Sequence, residues 1–89
     1  MLNLGEINQE MAGLNSWSLE GNSITKNFTF TNFKESLDFV NRIGEIAEKL
    51  QHHPDVLITS NEVRLALTTH SENALTHKDF QLAKEIDLI

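Results

Sequence analysis

Apolar residues at Leu4, Ile7, Met11 and Leu14 follow the spacing of one helix face, and the turn formers of Gly13–Asn15 end that run. Trp17 and Leu19 then alternate with polar neighbours, which predicts a short strand, and Glu20-Gly21-Asn22 is a hairpin turn signal. From Ile24 to Phe30 the alternation is clearer. Ile24, Phe28 and Phe30 fall on one side, with Thr25, Asn27 and Thr29 on the other, as in a half-buried strand.

The period then changes. Asn32 and Glu35 are spaced as a capping box, the asparagine accepting from a first-turn N–H and the glutamate reaching back. Phe33, Leu37, Val40, Ile43, Ala47 and Leu50 recur every three to four positions, with Phe39 and Ile46 widening the stripe, so a long helix is expected to about Gln51. Pro54 lacks a backbone donor and biases His53 away from the helical region, which stops the helix near His52. Val56–Ser60 and Glu62–Thr69 read as two strands joined by a tight turn at Ser60-Asn61. Val63, Leu65, Leu67 and Thr69 share one face of the second strand, and Arg64, Ala66, Thr68 and His70 the other. Thr76 and Asp79 form a second capping-box pattern, opening a C-terminal helix that contains Phe80, Leu82, Ala83 and Ile86. The order α-β-β-α-β-β-α, with two hairpins and helices on one side, predicts an α+β sandwich. Without repeats, linkers or low-complexity stretches, residues 1–89 are expected to form one domain.

Composition narrows the function classes. A chain of 89 residues buries roughly 60–65% of its unfolded surface, so one thin core is expected and self-association would add to it. Thirteen acidic against seven basic residues give a net charge of -6, a surface that repels phosphate backbones and anionic lipid. The absence of cysteine removes thiolate chemistry and favours a reducing compartment. The start Met1-Leu2-Asn3-Leu4-Gly5-Glu6 lacks the basic and apolar regions of a signal peptide, and no apolar run approaches the ~20 residues of a membrane span. The expected setting is cytoplasmic, with neither nucleic acid nor membrane as partner.

The chemistry-bearing residues are histidines. His52 and His53 sit at the carbonyl end of the long helix, where positive charge is favoured, and a hairpin at Ser60-Asn61 can return His70 towards them. Three histidines can also hold a catalytic metal, but the usual i, i+4 pair on one helix face is missing, and adjacent His52 and His53 project in different directions. No metal site is therefore expected. Glu48 lies one helical turn before His52, placing it to orient or charge that ring. Asp79 would also be explained by capping alone, and Trp17 by a place in the core or an interface as readily as by a ligand.

Glu48-Lys49-Leu50-Gln51-His52-His53-Pro54, followed by His70 and, nine residues later, Asp79, resembles the pterin-4a-carbinolamine dehydratase family. The resemblance runs from about Trp17 to Ile86. It includes Leu19-Glu20-Gly21, Phe28-Thr29-Phe30, the helix start at Phe33, Leu75-Thr76 and Leu82-Ala83. It implies a four-stranded antiparallel sheet with three helices packed on one face, a homodimer or homotetramer, and no bound metal or cofactor. It implies dehydration of 4a-hydroxy-tetrahydrobiopterin to the quinonoid dihydropterin, the step that recycles pterin after aromatic amino acid hydroxylation. His53 and His70 would then be the acid–base residues and His52 a pterin contact. Glu48 would face the pyrimidine edge or hold His52. Pro54, Thr69, Ser71 and Glu72 would help bind substrate, Asp79 would hydrogen-bond within the site, and His77 would lie outside it. Many members carry aromatic residues where this chain has Val56 and Ser60, a departure that bears on substrate affinity rather than on fold. The short last helix weakens any subunit contact made there. Two other functions fit the resemblance: a non-catalytic module that binds a pterin or a protein partner, as animal members bind the dimerisation segment of a homeodomain transcription factor, and a dehydratase for another pterin, including one linked to molybdenum cofactor metabolism.

Overall fold

The computed structural model describes residues 1–89 and follows the expected order. Helix α1 spans Leu4–Met11, strands β1 and β2 Ser18–Glu20 and Ser23–Thr29, and helix α2 Phe33–Leu50. Strands β3 and β4 follow at Asp55–Thr59 and Glu62–Leu67, and helix α3 at His77–Asp87. The four strands form one antiparallel sheet in the order β1-β2-β4-β3, so α2 carries the chain from one hairpin to the far edge of the other. The three helices pack on one face of this sheet, as expected.

The register fixes which side chains meet the helices. Ile24 pairs with Leu67 and Phe28 with Val63 between the central strands, and Val56 and Ile58 oppose Leu65 and Val63. Ile24, Val63, Leu65 and Leu67 are fully buried against Ile43 of α2 and Phe80, Leu82, Ala83 and Ile86 of α3. Phe39 stacks between Phe28 and Phe30, with ring centroids 4.6 and 4.9 Å away.

Several local expectations shift. The first helix stops at Met11 rather than Leu14, and opens on a capping box formed by Asn3 and Glu6. In α2 the buried stripe runs through Ser36, Phe39, Ile43 and Ala47, while Phe33 and Leu37 stand in solvent. Leu37 lies about 100° around the helix from Ser36, off the core-facing side. Ser36 is tolerated in the core because its hydroxyl donates to the Asn32 carbonyl oxygen at 3.3 Å. Asn32 caps α2 as expected, but Glu35 reaches the N–H of Thr31, one residue before the cap.

Lys26 falls on the core side of β2, between Ile24 and Phe28. Its ammonium donates to Asp87 at 2.9 Å and lies 5.0 Å from the Phe28 ring centroid, so the half-buried charge is neutralised and packed. The Trp17 indole N–H donates to the same carboxylate at 2.9 Å, which makes Trp17 a core residue that ties β1 to the end of α3. On the open face of the sheet, the Thr25 hydroxyl and the Arg64 guanidinium hold the Glu20 carboxyl below its ordinary titration range. No helix is long and apolar enough to cross a membrane.

Candidate active site

The end of α2 decides where the paired histidines point. Gln51 adopts a left-handed conformation, φ 52°, and the N–H of His52 donates back to the Ala47 carbonyl at 3.1 Å, closing the helix. Pro54 then holds the chain in an extended path into β3. This break in helical geometry corrects one expectation: Glu48 does not meet His52 at i, i+4, but pairs with His53 through Nε2 and Oε2.

His52 turns inward instead. Its Nε2 lies 2.6 Å from Oδ1 of Asp79, and Asp79 is completely buried. The other carboxylate oxygen accepts from the Thr69 hydroxyl at 2.8 Å and the Thr76 N–H at 3.0 Å. An ionised carboxylate only accepts, so the proton of this bond is on Nε2 of His52. Asp79 thus does both things suggested for it, capping α3 and fixing a histidine. Thr69 and Thr76 complete the network through their hydroxyls, 2.7 Å apart.

His70 arrives at the far end of the β3–β4 hairpin, which brings the chain back beside Pro54. Strand β4 ends at Leu67, two residues short of its expected end, and Thr69 makes one isolated bridge to Ala74. The turn between them carries His70 on the surface, with Nε2 3.7 Å from Oδ1 of Asp55.

His52, His53 and His70, together with Thr69 and Ser71, line one pocket of about 240 Å³. Gln51, Thr68 and Lys78 complete the lining, and no hydrophobic side chain contributes. Of the other expected site residues, Asp79 lies beneath the pocket and Glu48 beside His53. Glu72 points elsewhere, to the Met1 ammonium at 3.3 Å, and Pro54 acts through the chain path. His77 lies outside, 3.3 Å from Glu10. Neither Val56 nor Ser60 reaches the pocket lining. No three histidine or acidic side chains gather at metal-ligating spacing.

Sequence reasoning missed Gln51, Thr68, Lys78 and Asp55. Thr68 and His70 share a strand face by alternation, and Asp55 directly follows Pro54, so both carried a usable signal. Lys78 reaches the pocket only because α3 starts beneath it.

The fold agrees with what the chain is similar to. The family model described as pterin 4 alpha carbinolamine dehydratase matches residues 1–89. A Sulfolobus acidocaldarius protein, named provisionally as a pterin-4-alpha-carbinolamine dehydratase, is 46% identical over 88 residues, covering 99% of this chain and 97% of its own length. A Chloroflexus aurantiacus protein of the same provisional name is 47% identical over 88 residues, covering 99% and 95%. Among solved structures, a transcriptional coactivator/pterin dehydratase from Brucella melitensis superposes with a TM-score of 0.92 at 34% identity, covering 98% of this chain and 95% of that one. A pterin dehydratase-like protein described as a RuBisCO assembly factor in the alpha-carboxysome shares the fold, with a TM-score of 0.70 at 18% identity.

Proposed function

Because the chain belongs to the pterin 4 alpha carbinolamine dehydratase family, we propose that it removes water from 4a-hydroxy-tetrahydrobiopterin to give the quinonoid dihydropterin. The observation that carries this reading is the meeting of three histidines, from the connections that enter and leave the β3–β4 hairpin, in one polar pocket, each with a carboxylate beside it.

The reaction needs one proton delivered and one removed. A proton passes to the 4a hydroxyl oxygen, and the C4a–O bond breaks with its electron pair leaving on water. The N5 lone pair then forms the C4a=N5 double bond as the N5 proton moves to a base. Two imidazoles, one charged and one neutral, balance this exchange at neutral pH. His53 and His70 are assigned that work, because both are exposed at the pocket and neither has a ring nitrogen committed to a buried partner. His52 is assigned to contact the pterin: when neutral, its single N–H is held by Asp79. Glu48 orients His53, Asp55 faces His70, and Thr69, Ser71 and Lys78 offer polar groups to the substrate. The reading includes cytoplasmic recycling of tetrahydrobiopterin by a homodimer or homotetramer.

Following the absorbance of a freshly generated carbinolamine tests the assignment. The wild-type protein accelerates its loss, and His53→Ala and His70→Ala each slow turnover by about 10²- to 10⁴-fold. Normal turnover in both variants refutes the acid–base assignment. One observation favours a second reading, a module that binds a pterin or a protein without turnover: the pocket lining holds no phenylalanine, tyrosine or tryptophan ring on which a pterin could stack. Saturable pterin binding by a wild-type protein with no turnover would select that reading. Competition among pterins identifies the natural substrate in either case.

A further inference from the structure

The β1–β2 hairpin lies outside the pocket, yet it holds the loop that carries His70. Its two-residue turn is Gly21-Asn22, with Gly21 at φ 60° as a tight turn of this kind requires. The Asn22 side-chain amide donates to the Asn73 carbonyl oxygen at 3.0 Å and to Asn73 Oδ1 at 2.9 Å. In return, the Asn22 carbonyl accepts from the Thr68 hydroxyl at 2.7 Å. These three bonds, across 46 to 51 residues of sequence, bracket the His70 turn on both sides.

Inside the turn the backbone path is closely defined. Asn73 is left-handed, φ 51°, a conformation that asparagine adopts more readily than other residues with a Cβ and that turns the chain sharply after His70. The Asn73 N–H donates to the His70 carbonyl at 3.2 Å, and the Glu72 N–H to the Thr69 carbonyl at 3.0 Å. The path of His70 is therefore set by the Thr69–Ala74 bridge, by the left-handed Asn73 and by the amide clamped onto it. The His70 side chain has no polar partner nearer than Asp55 at 3.7 Å, so the backbone supplies most of its placement.

We infer that Asn22 is a positioning residue for His70, so that the first hairpin is a working part of a pocket it does not line. This inference rests on the acid–base role proposed for His70. Proton transfer is sensitive to displacements of about 1 Å, so loosening the turn should reduce turnover more than binding, which His52, Thr69 and Lys78 still support.

The test compares wild type with Asn22→Ala and with Asn22→Ser, which keeps a turn-forming residue too short to reach Asn73. The expected result is a kcat lower by about 10- to 100-fold, with KM changed by less than about threefold. Two further results are expected without substrate: hydrogen exchange at the Asn73 amide about tenfold faster, and ring NMR signals that shift for His70 but not for His52. Two outcomes overturn the inference: unchanged Asn73 exchange and His70 signals in both variants, or equal disturbance of His52 and His70, which marks general loosening. A wild type without turnover would refute the proposed reaction instead, and the exchange and ring signals would still decide whether Asn22 places His70.

Discussion

Replacing Asp79 with asparagine keeps the shape of the side chain and removes its charge, so it isolates what the carboxylate does. In the folded chain Asp79 is wholly buried and accepts three hydrogen bonds, from His52 Nε2, the Thr69 hydroxyl and the Thr76 N–H. Asparagine can accept from Thr69 and Thr76 through its oxygen, but it turns an NH2 group towards His52. Two donors cannot share that contact. His52 must either move its proton to Nδ1 and accept, or leave a buried donor unpaired. Exchanging a charge-assisted bond for a neutral one costs about 1–2 kcal/mol, and an unpaired donor about 1–3 kcal/mol. The weakened helix cap adds a few tenths. The expected loss is therefore about 2–3 kcal/mol, a large share of the roughly 4–13 kcal/mol available to a chain of this length. With a urea m-value of about 1–1.5 kcal/mol/M, the unfolding midpoint should fall by roughly 1.3–3 M. Nitrogen NMR of the histidine rings should show His52 switching tautomer while His70 is unchanged. A midpoint within 0.3 M of wild type, with the His52 tautomer retained, would refute this account of the buried carboxylate.

Two other predictions follow from pairs away from the pocket. Asp87→Asn leaves the Lys26 ammonium largely enclosed without its counter-charge and should cost about 2–4 kcal/mol in a denaturant titration; Lys26→Met in the same chain should recover part of that loss, because an apolar side chain suits the space beside Phe28. Glu20 has a folded-state pKa below its unfolded value, so its stabilising contribution is present above about pH 4.5 and is lost as pH falls through the folded value. Glu20→Gln should therefore flatten the acid limb of stability against pH below 4.5 and leave its slope at neutral pH unchanged; an acid limb parallel to wild type would contradict the role given to Thr25 and Arg64.

What was legible in the sequence was local. Period-two and period-3.6 patterns located all seven elements, and Thr76 with Asp79 announced the start of α3. What escaped depended on partners far along the chain or on a single dihedral. Alternation sets Lys26 on the Ile24–Phe28 side of its strand, but the pattern cannot supply the counter-charge, Asp87, which lies 61 residues later. The pairing of Glu48 with His52 assumes that helical geometry persists to His52; the left-handed Gln51 ends it and hands Glu48 to His53. Asp79 was visible as a cap, but its bond to His52 requires α2 and α3 to be docked. Phe33 and Leu37 fit a helical period while lying off the buried arc, because periodicity fixes spacing more firmly than the direction of the stripe.

The bond from Trp17 to Asp87 also gives the molecule an internal optical probe. The chain contains one tryptophan and no tyrosine, so its emission at long excitation wavelengths comes from a single indole. That indole is buried, bonded to the last residue of α3 and 5.8 Å from the Lys26 ammonium. Release of the helix end would take the bonded carboxylate away from the indole, leave the Lys26 ammonium without its counter-charge and admit water to the ring. Since α3 begins at the histidine pocket and ends at this indole, fluorescence without any added label reports from one end of the helix on the docking of the element that supports the site at the other.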